Sequence, residues 1–171
     1  MGTKTLPLTT DFFQICYVTA DLSAGMKQLA AMHGVERFRI KRDVKSLPGM
    51  PAMQLNEAHV YVGLVQIELI QPAGGDDALY RDVCAGDGQS LRFHHYAVWV
   101  DDPSQFEGLL PALKEQNVPV AFASMIPNVG GVIYADLRSA LGHYVEYVHL
   151  IPEVKRTYYA DVPRYGSGAA P

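Results

Sequence analysis

Cysteine is scarce, with only Cys16 and Cys84 in 171 residues. The pair shows neither zinc-site spacing nor the density of a disulfide scaffold, so both read as free thiols in a reducing compartment. Long apolar runs are also lacking. No stretch approaches the roughly 20 residues of a membrane span, and the opening Met1-Gly2-Thr3-Lys4-Thr5 has no apolar signal core, so a cytoplasmic location is expected. Nor is there an excess of positive charge. A formal net charge of −4, with both signs scattered, gives no basic surface for a phosphate backbone, and nucleic acid is not an expected partner. Apolar residues, by contrast, make up 49% of the chain, enough for one globular domain or two small modules sharing a core.

The informative feature is an internal repeat. Gln14-Ile15-Cys16-Tyr17-Val18-Thr19-Ala20-Asp21 returns as His95-Tyr96-Ala97-Val98-Trp99-Val100-Asp101-Asp102, each a strand pattern with a metal-capable head and an aspartate seven positions on. Val65-Gln66-Ile67-Glu68-Leu69 follows the first copy much as Tyr144-Val145-Glu146-Tyr147-Val148 follows the second.

In chain order, residues 1 to 11 are a lead-in and 12 to 19 a strand. Asp21 caps a helix carrying Leu22, Met26, Leu29 and His33, which stops at Gly34. A second strand is expected over 35–40. Residues 41–51 read as a mobile loop whose Lys41, Arg42 and Lys45 are solvated charges, with a phosphate contact as the alternative. Strands over 59–61 and 65–70, turning near Gly63, complete a β-α-β-β-β unit over 12–72. A connector with a helical turn or two around Leu79 to Val83 leads to a second unit over 93–150. There Asp102-Pro103 opens a helix that Pro111 should kink or break, and strands follow over 118–123, 131–135 and 144–150. One helix per four strands indicates α+β. An arm, 151–171, ends in a composition that suggests disorder, while Tyr158, Tyr159 and Tyr165 could anchor it over a site or a partner.

Side chains alternate across a strand, so residues of equal parity share a face. Ile15, Tyr17, Ile67, Leu69, Tyr96, Val98, Val145 and Tyr147 form apolar faces for the helices. Gln14, Glu68, His95 and Glu146 lie on the opposite faces, and meet in one hollow if the modules curl together. Two carboxylates with neutral imidazole and amide donors suit a divalent metal; taken singly, each is also an ordinary polar residue on a wet sheet face. Cys16, Gln66, Ile70, Trp99, Tyr144 and Val148 share that parity and are expected to line the substrate cavity or to pack at the sheet centre. His94, His143 and His149 have the opposite parity and are expected to be structural or surface residues.

These segments together, from Gln14 with Asp21 through Ile67-Glu68-Leu69-Ile70-Gln71-Pro72 and His94-His95-Tyr96-Ala97-Val98-Trp99-Val100-Asp101-Asp102 to Gly142-His143-Tyr144-Val145-Glu146, resemble the vicinal oxygen chelate superfamily over residues 12 to 150. That superfamily includes glyoxalase I, methylmalonyl-CoA epimerase, extradiol dioxygenases and bleomycin-resistance proteins. The resemblance implies two tandem βαβββ modules in a cupped mixed sheet with helices outside, and one divalent metal (Zn, Ni, Co, Mn or Fe) on Gln14, Glu68, His95 and Glu146. It is nearest the glyoxalase I and epimerase-like branch, which implies proton transfer next to a carbonyl of a small oxo-acid, thioester or hemithioacetal, with Glu146 as first candidate for the base and Glu68 as second. It also implies a homodimer. The alternatives are a non-catalytic sequestering protein of the bleomycin-resistance type, which has no need of the four polar residues, and an extradiol-type dioxygenase, against which Gln14 counts because iron dioxygenases normally have histidine there.

Overall fold

A computed structural model of the protein describes residues 11–84 and 91–166. The first module comprises β1 (Phe12–Val18), α1 (Leu22–His33), β2 (Arg39–Lys45), β3 (Met53–Val62) and β4 (Val65–Gly75). A short helix, α2 (Ala78–Cys84), leads to the second: β5 (Arg92–Trp99), α3 (Pro103–Glu115), β6 (Val120–Ile126), β7 (Gly130–Asp136), the turn-long α4 (Arg138–Leu141) and β8 (Tyr144–Leu150). The arm contributes α5 (Pro152–Tyr158) and the two-residue β9 (Arg164–Tyr165). The expected α+β plan of two β-α-β-β-β modules is present.

All strands join one mixed sheet in the order β2-β3-β4-β1-β5-β8-β7-β6, with β9 added to β3. Each module's first strand pairs in parallel with its last, β1 with β4 and β5 with β8, and the modules meet through the antiparallel pair β1 and β5. The helices are set by local chemistry. The Asp21 carboxylate accepts from the Ala24 amide at 3.0 Å and that of Asp102 from the Ser104 amide at 2.8 Å, each a cap worth about 1 kcal/mol. Gly34 ends α1 in the left-handed region at φ 67°.

Both helices pack on the outer face. Leu22 and Leu29 of α1 meet Ala58, Val60, Ile67 and Leu69, while Phe106, Leu109 and Leu113 of α3 meet Val98, Val100, Val145 and Tyr147. This second contact explains why Pro111 does not break α3. A mid-helix proline costs about 3 kcal/mol, but fully burying Leu109 and Leu113 contributes about 1.5 to 3 kcal/mol each, so continuing the helix to Glu115 wins.

Several expected boundaries are corrected. The segment 41–45 is not loop but the second half of β2, where Lys41 pairs with Glu57 and Val44 with Leu55. The strand expected over 35–40 therefore lies later, at Arg39–Lys45; β3 begins at Met53 rather than 59, and β4 runs past Pro72 to Gly75. β2 is the edge strand of the sheet, where polar residues can pair without a continuous apolar face. The arm is placed through residue 166, and the end from 167, of which disorder is expected, lies outside the described residues. Val162 is buried, the Tyr165 hydroxyl accepts from the Arg37 amide at 2.8 Å, and β9 pairs with Tyr61 and Val62. Residues 1–10, 85–90 and 167–171, with the lead-in, part of the connector and the final Gly/Ala tail, lie outside the described residues. Cys16 and Cys84 are free thiols, as expected, and no described helix is long and apolar enough to cross a membrane.

Gly130 opens β7 at φ 143°, and a Cβ there would stand 2.0 Å from the His149 carbonyl oxygen and 2.8 Å from Leu150 Cα. Gly130→Ala is therefore expected to lower stability by more than Gly34→Ala, whose Cβ meets open space and whose left-handed backbone alone costs about 1 to 2 kcal/mol. Urea unfolding midpoints of the two variants measure this, and equal losses would contradict so close an approach of β7 to β8.

Candidate metal centre

The site is built on the two central strands. Cys16 of β1 lies directly between Glu68 of β4 and His95 of β5, while Gln14 lies between Gln66 and Ala97, and Glu146 of β8 flanks Ala97 on the far side. Two adjacent rows across four strands thus bring together the four residues expected as ligands. His95 Nε2 is 3.7 Å from Glu68 Oε2 and 3.3 Å from Glu146 Oε2. Gln14 donates from Nε2 to Gln66 Oε1 at 2.7 Å, which leaves its amide oxygen as the electron-pair donor. Gln14, Glu68 and His95 are buried and Glu146 is half-buried.

His94 does not face away as parity predicts. Pairing passes from Cys16 with His95 to Tyr17 with Phe93, so His94 falls in a bulge and turns inward with its neighbour. Its ring lies against Tyr80 and Tyr144. Its Nε2 lies 3.1 Å from the Leu79 carbonyl and its Nδ1 2.8 Å from His95 Nδ1. Burial and the neighbouring His95 hold its pKa down to about 3, so it is neutral. A carbonyl can only accept, so His94 carries its proton on Nε2 and accepts at Nδ1 from His95. His95 Nε2 thus faces the two carboxylates and, at 3.3 Å, the Tyr134 hydroxyl. Two carboxylates and an imidazole nitrogen converging in a buried place are a nitrogen and oxygen donor set of the kind a divalent metal takes, so the residues fit one. His143, against Phe93 and Tyr96, and His149, bonded to the Val100 carbonyl, are structural as expected.

Two residues of the site escaped the sequence reading, His59 and Glu57 of β3. His59 Nε2 lies 2.9 Å from Glu68 Oε1, and Glu57, His59 and Glu68 form a cluster of donors within 4.8 Å. Burial alone would raise the Glu68 pKa, but the hydrogen bond and charge of His59, the charge of His95 and a bond from Cys16 outweigh it and hold the group at about 2. For Glu57 burial prevails, reinforced by the charge of Glu68, and its pKa is raised. A signal exists in the sequence: Glu57 and His59 continue the alternation of Met53 and Leu55, but Glu57 precedes the strand expected over 59–61, and parity is compared only along the first and last strand of each module.

Above the donors lies a cavity of about 190 Å3. Gln14, Glu68 and Glu146 line it, together with Ile70 and Val148 from the expected lining set. The other four do not. Cys16 is fully buried beneath Glu68 and His95, Gln66 is covered by its bond to Gln14, Trp99 is stacked under Phe13 at 4.1 Å, and Tyr144 lies on His94. Equal parity put all of them on the inner face; bulk stacked over them removed them from the cavity. The arm supplies one wall, with Tyr158 and Tyr159 at the cavity and Tyr159 packed near Phe13, Trp99 and His59. Arg39 Nη1 ties this wall down by donating to the Tyr158 carbonyl and to Asp161.

The family model of the Glyoxalase/Bleomycin resistance protein/Dioxygenase superfamily matches residues 13–135. A comparison with curated proteins gives no significant match. Among solved structures, methylmalonyl-CoA epimerase from Mycobacterium tuberculosis is similar at 17% identity and a TM-score of 0.56, over 92% of this chain and 97% of that chain. A variant of the Streptomyces coelicolor methylmalonyl-CoA epimerase in complex with 2-nitronate-propionyl-CoA is 18% identical with a TM-score of 0.58, over 84% and 96%. A hypothetical protein from Bacillus halodurans C-125 is 19% identical with a TM-score of 0.53, over 81% and 93%. At these identities the likeness is one of fold.

A carboxylate with a depressed pKa stabilises the folded state above the ordinary carboxylate range, and that contribution is lost as pH falls through about 2. In metal-free protein, carbon NMR should therefore show Glu68 still ionised at about pH 3. His59→Gln should move its midpoint upward, and an unmoved midpoint would mean that His59 does not hold the carboxylate.

Proposed function

Because the chain belongs to the glyoxalase/bleomycin resistance protein/dioxygenase superfamily, we propose that it is a metal-dependent lyase or isomerase of the glyoxalase type, moving a proton next to a carbonyl in a small oxo-acid, thioester or hemithioacetal. The observation that carries this reading is the convergence of His95 Nε2 with Glu68 Oε2 at 3.7 Å and Glu146 Oε2 at 3.3 Å, beside a cavity that both carboxylates line. Glu68 and His95 would hold the ion, with Gln14 and Glu146 beside them. When bound there, a divalent cation supplies stabilisation of the negative charge that develops on the substrate's carbonyl oxygen.

The two carboxylates are suited to different tasks. Glu68 is engaged by His59 and its low pKa makes it a poor proton acceptor. Glu146 borders the cavity and is oriented by His95 at Oε2, so its carboxylate is the better placed to take the substrate proton. Glu57, raised in pKa and also on the cavity wall, is the second proton-carrying group that an epimerisation requires. Leu55, Ile70, Val132 and Tyr159 enclose the reacting end and keep bulk water from competing for the proton. The epimerase neighbours agree with this reaction class, and the thioester option rests on them.

The same apolar walls would suit a sequestering protein, and one experiment separates the two readings. During turnover in deuterium oxide, the substrate's acidic carbon should acquire solvent deuterium. Glu146→Gln should slow that exchange by at least the roughly 100-fold typical of losing a general base while the protein still binds one ion, and His95→Ala should lose the ion. Exchange at the original rate in the glutamine variant would reject Glu146 as the base, and binding without any exchange would favour sequestration.

A further inference from the structure

Cys16 occupies the centre of the donor row. It is Cα-paired with Glu68 on one side and with His95 on the other, and it is fully buried. Its sulfur, one donor nitrogen of His95 and one oxygen of Glu68 all lie within 4.8 Å of one another. The thiol's other contact is a long one, 3.7 Å to the Tyr17 carbonyl. The repeat makes its placement unusual. Cys16 stands two residues after Gln14, as Ala97 stands two after His95, so one module has a methyl group where the other has a sulfur. Gln14, the expected ligand on the same strand, is turned toward Gln66 by its amide hydrogen bond.

We propose that Cys16 is itself a metal ligand, completing a Cys16–Glu68–His95 donor triad and leaving Glu146 unligated. This rests on the reading that a divalent cation sits between Glu68 and His95. On ligation the sulfur–metal bond forms as the thiol proton passes to solvent, so a thiolate and one carboxylate neutralise the cation while the imidazole stays neutral. A sulfur donor narrows the metal to those that accept thiolate, zinc or cobalt ahead of manganese or magnesium. Three protein ligands with a remaining open position is also the arrangement of catalytic rather than structural zinc sites.

Metal-free protein reloaded with cobalt should show an intense near-ultraviolet sulfur-to-cobalt band. Cys84→Ser should keep the band and Cys16→Ser should lose it, with zinc affinity in competition against a chelating dye falling by at least the roughly 10-fold that losing even an outer-shell partner costs. X-ray absorption of zinc-loaded wild-type protein needs no variant and should show one sulfur at about 2.3 Å. An ion bound with no charge-transfer band and a shell of nitrogen and oxygen only would overturn Cys16 as a ligand while the metal reading stands. Failure of the wild-type chain to bind either ion would overturn both.

Discussion

The antiparallel seam between β1 and β5 is the constraint on which the rest depends. Each module alone pairs its first strand with its last and leaves an open edge and half of the donors. Joining the edges places Cys16 against His95 and Gln14 against Ala97, so two equivalent strands present their heads to one hollow. The seam is irregular where the site needs it to be. A shift between Phe12 and Gln14 frees Phe13 to stack on Trp99, and a second beyond Cys16 turns His94 inward behind His95. A regular ladder would have put Phe13 and His94 on the helix side.

Negative charge is the second constraint. Glu57, Glu68 and Glu146 border one small cavity, and their burial is unfavourable unless something offsets it. His59 offsets part of that cost at Glu68, and Glu57 responds by holding its proton more tightly. The opposite responses of two neighbouring carboxylates follow from their contacts: Glu68 is hydrogen-bonded by His59 and Cys16 and faces His95, whereas at Glu57 burial outweighs the positive charges nearby.

The repeat, both helix caps, the apolar faces and the convergence of Gln14, Glu68, His95 and Glu146 on one face were legible in the sequence because each rests on a period or a spacing: alternation along β1 and β8, Asp21 and Asp102 before their helices, Gly34 after α1. What could not be read depends on register and stacking. Parity carries no knowledge of a bulge, so His94 was assigned to the wrong face; it carries none of what lies above a residue, so Trp99 and Tyr144 were expected in a cavity from which aromatic neighbours exclude them. Glu57 lies before the strand that 59–61 alone suggests, His59 sits on a strand outside the paired first and last strands of the repeat, and the two buried leucines that carry α3 past Pro111 act through packing that the sequence does not display.

The arm is separable from the floor it covers. It follows β8 in the chain and is not needed for any pairing of the eight-membered path, so the donor rows rest on the sheet alone while Tyr158, Tyr159 and the Arg39–Asp161 contact add one wall of the hollow. Loosening the arm would therefore open the hollow from one side without disturbing the pairing that sets its floor.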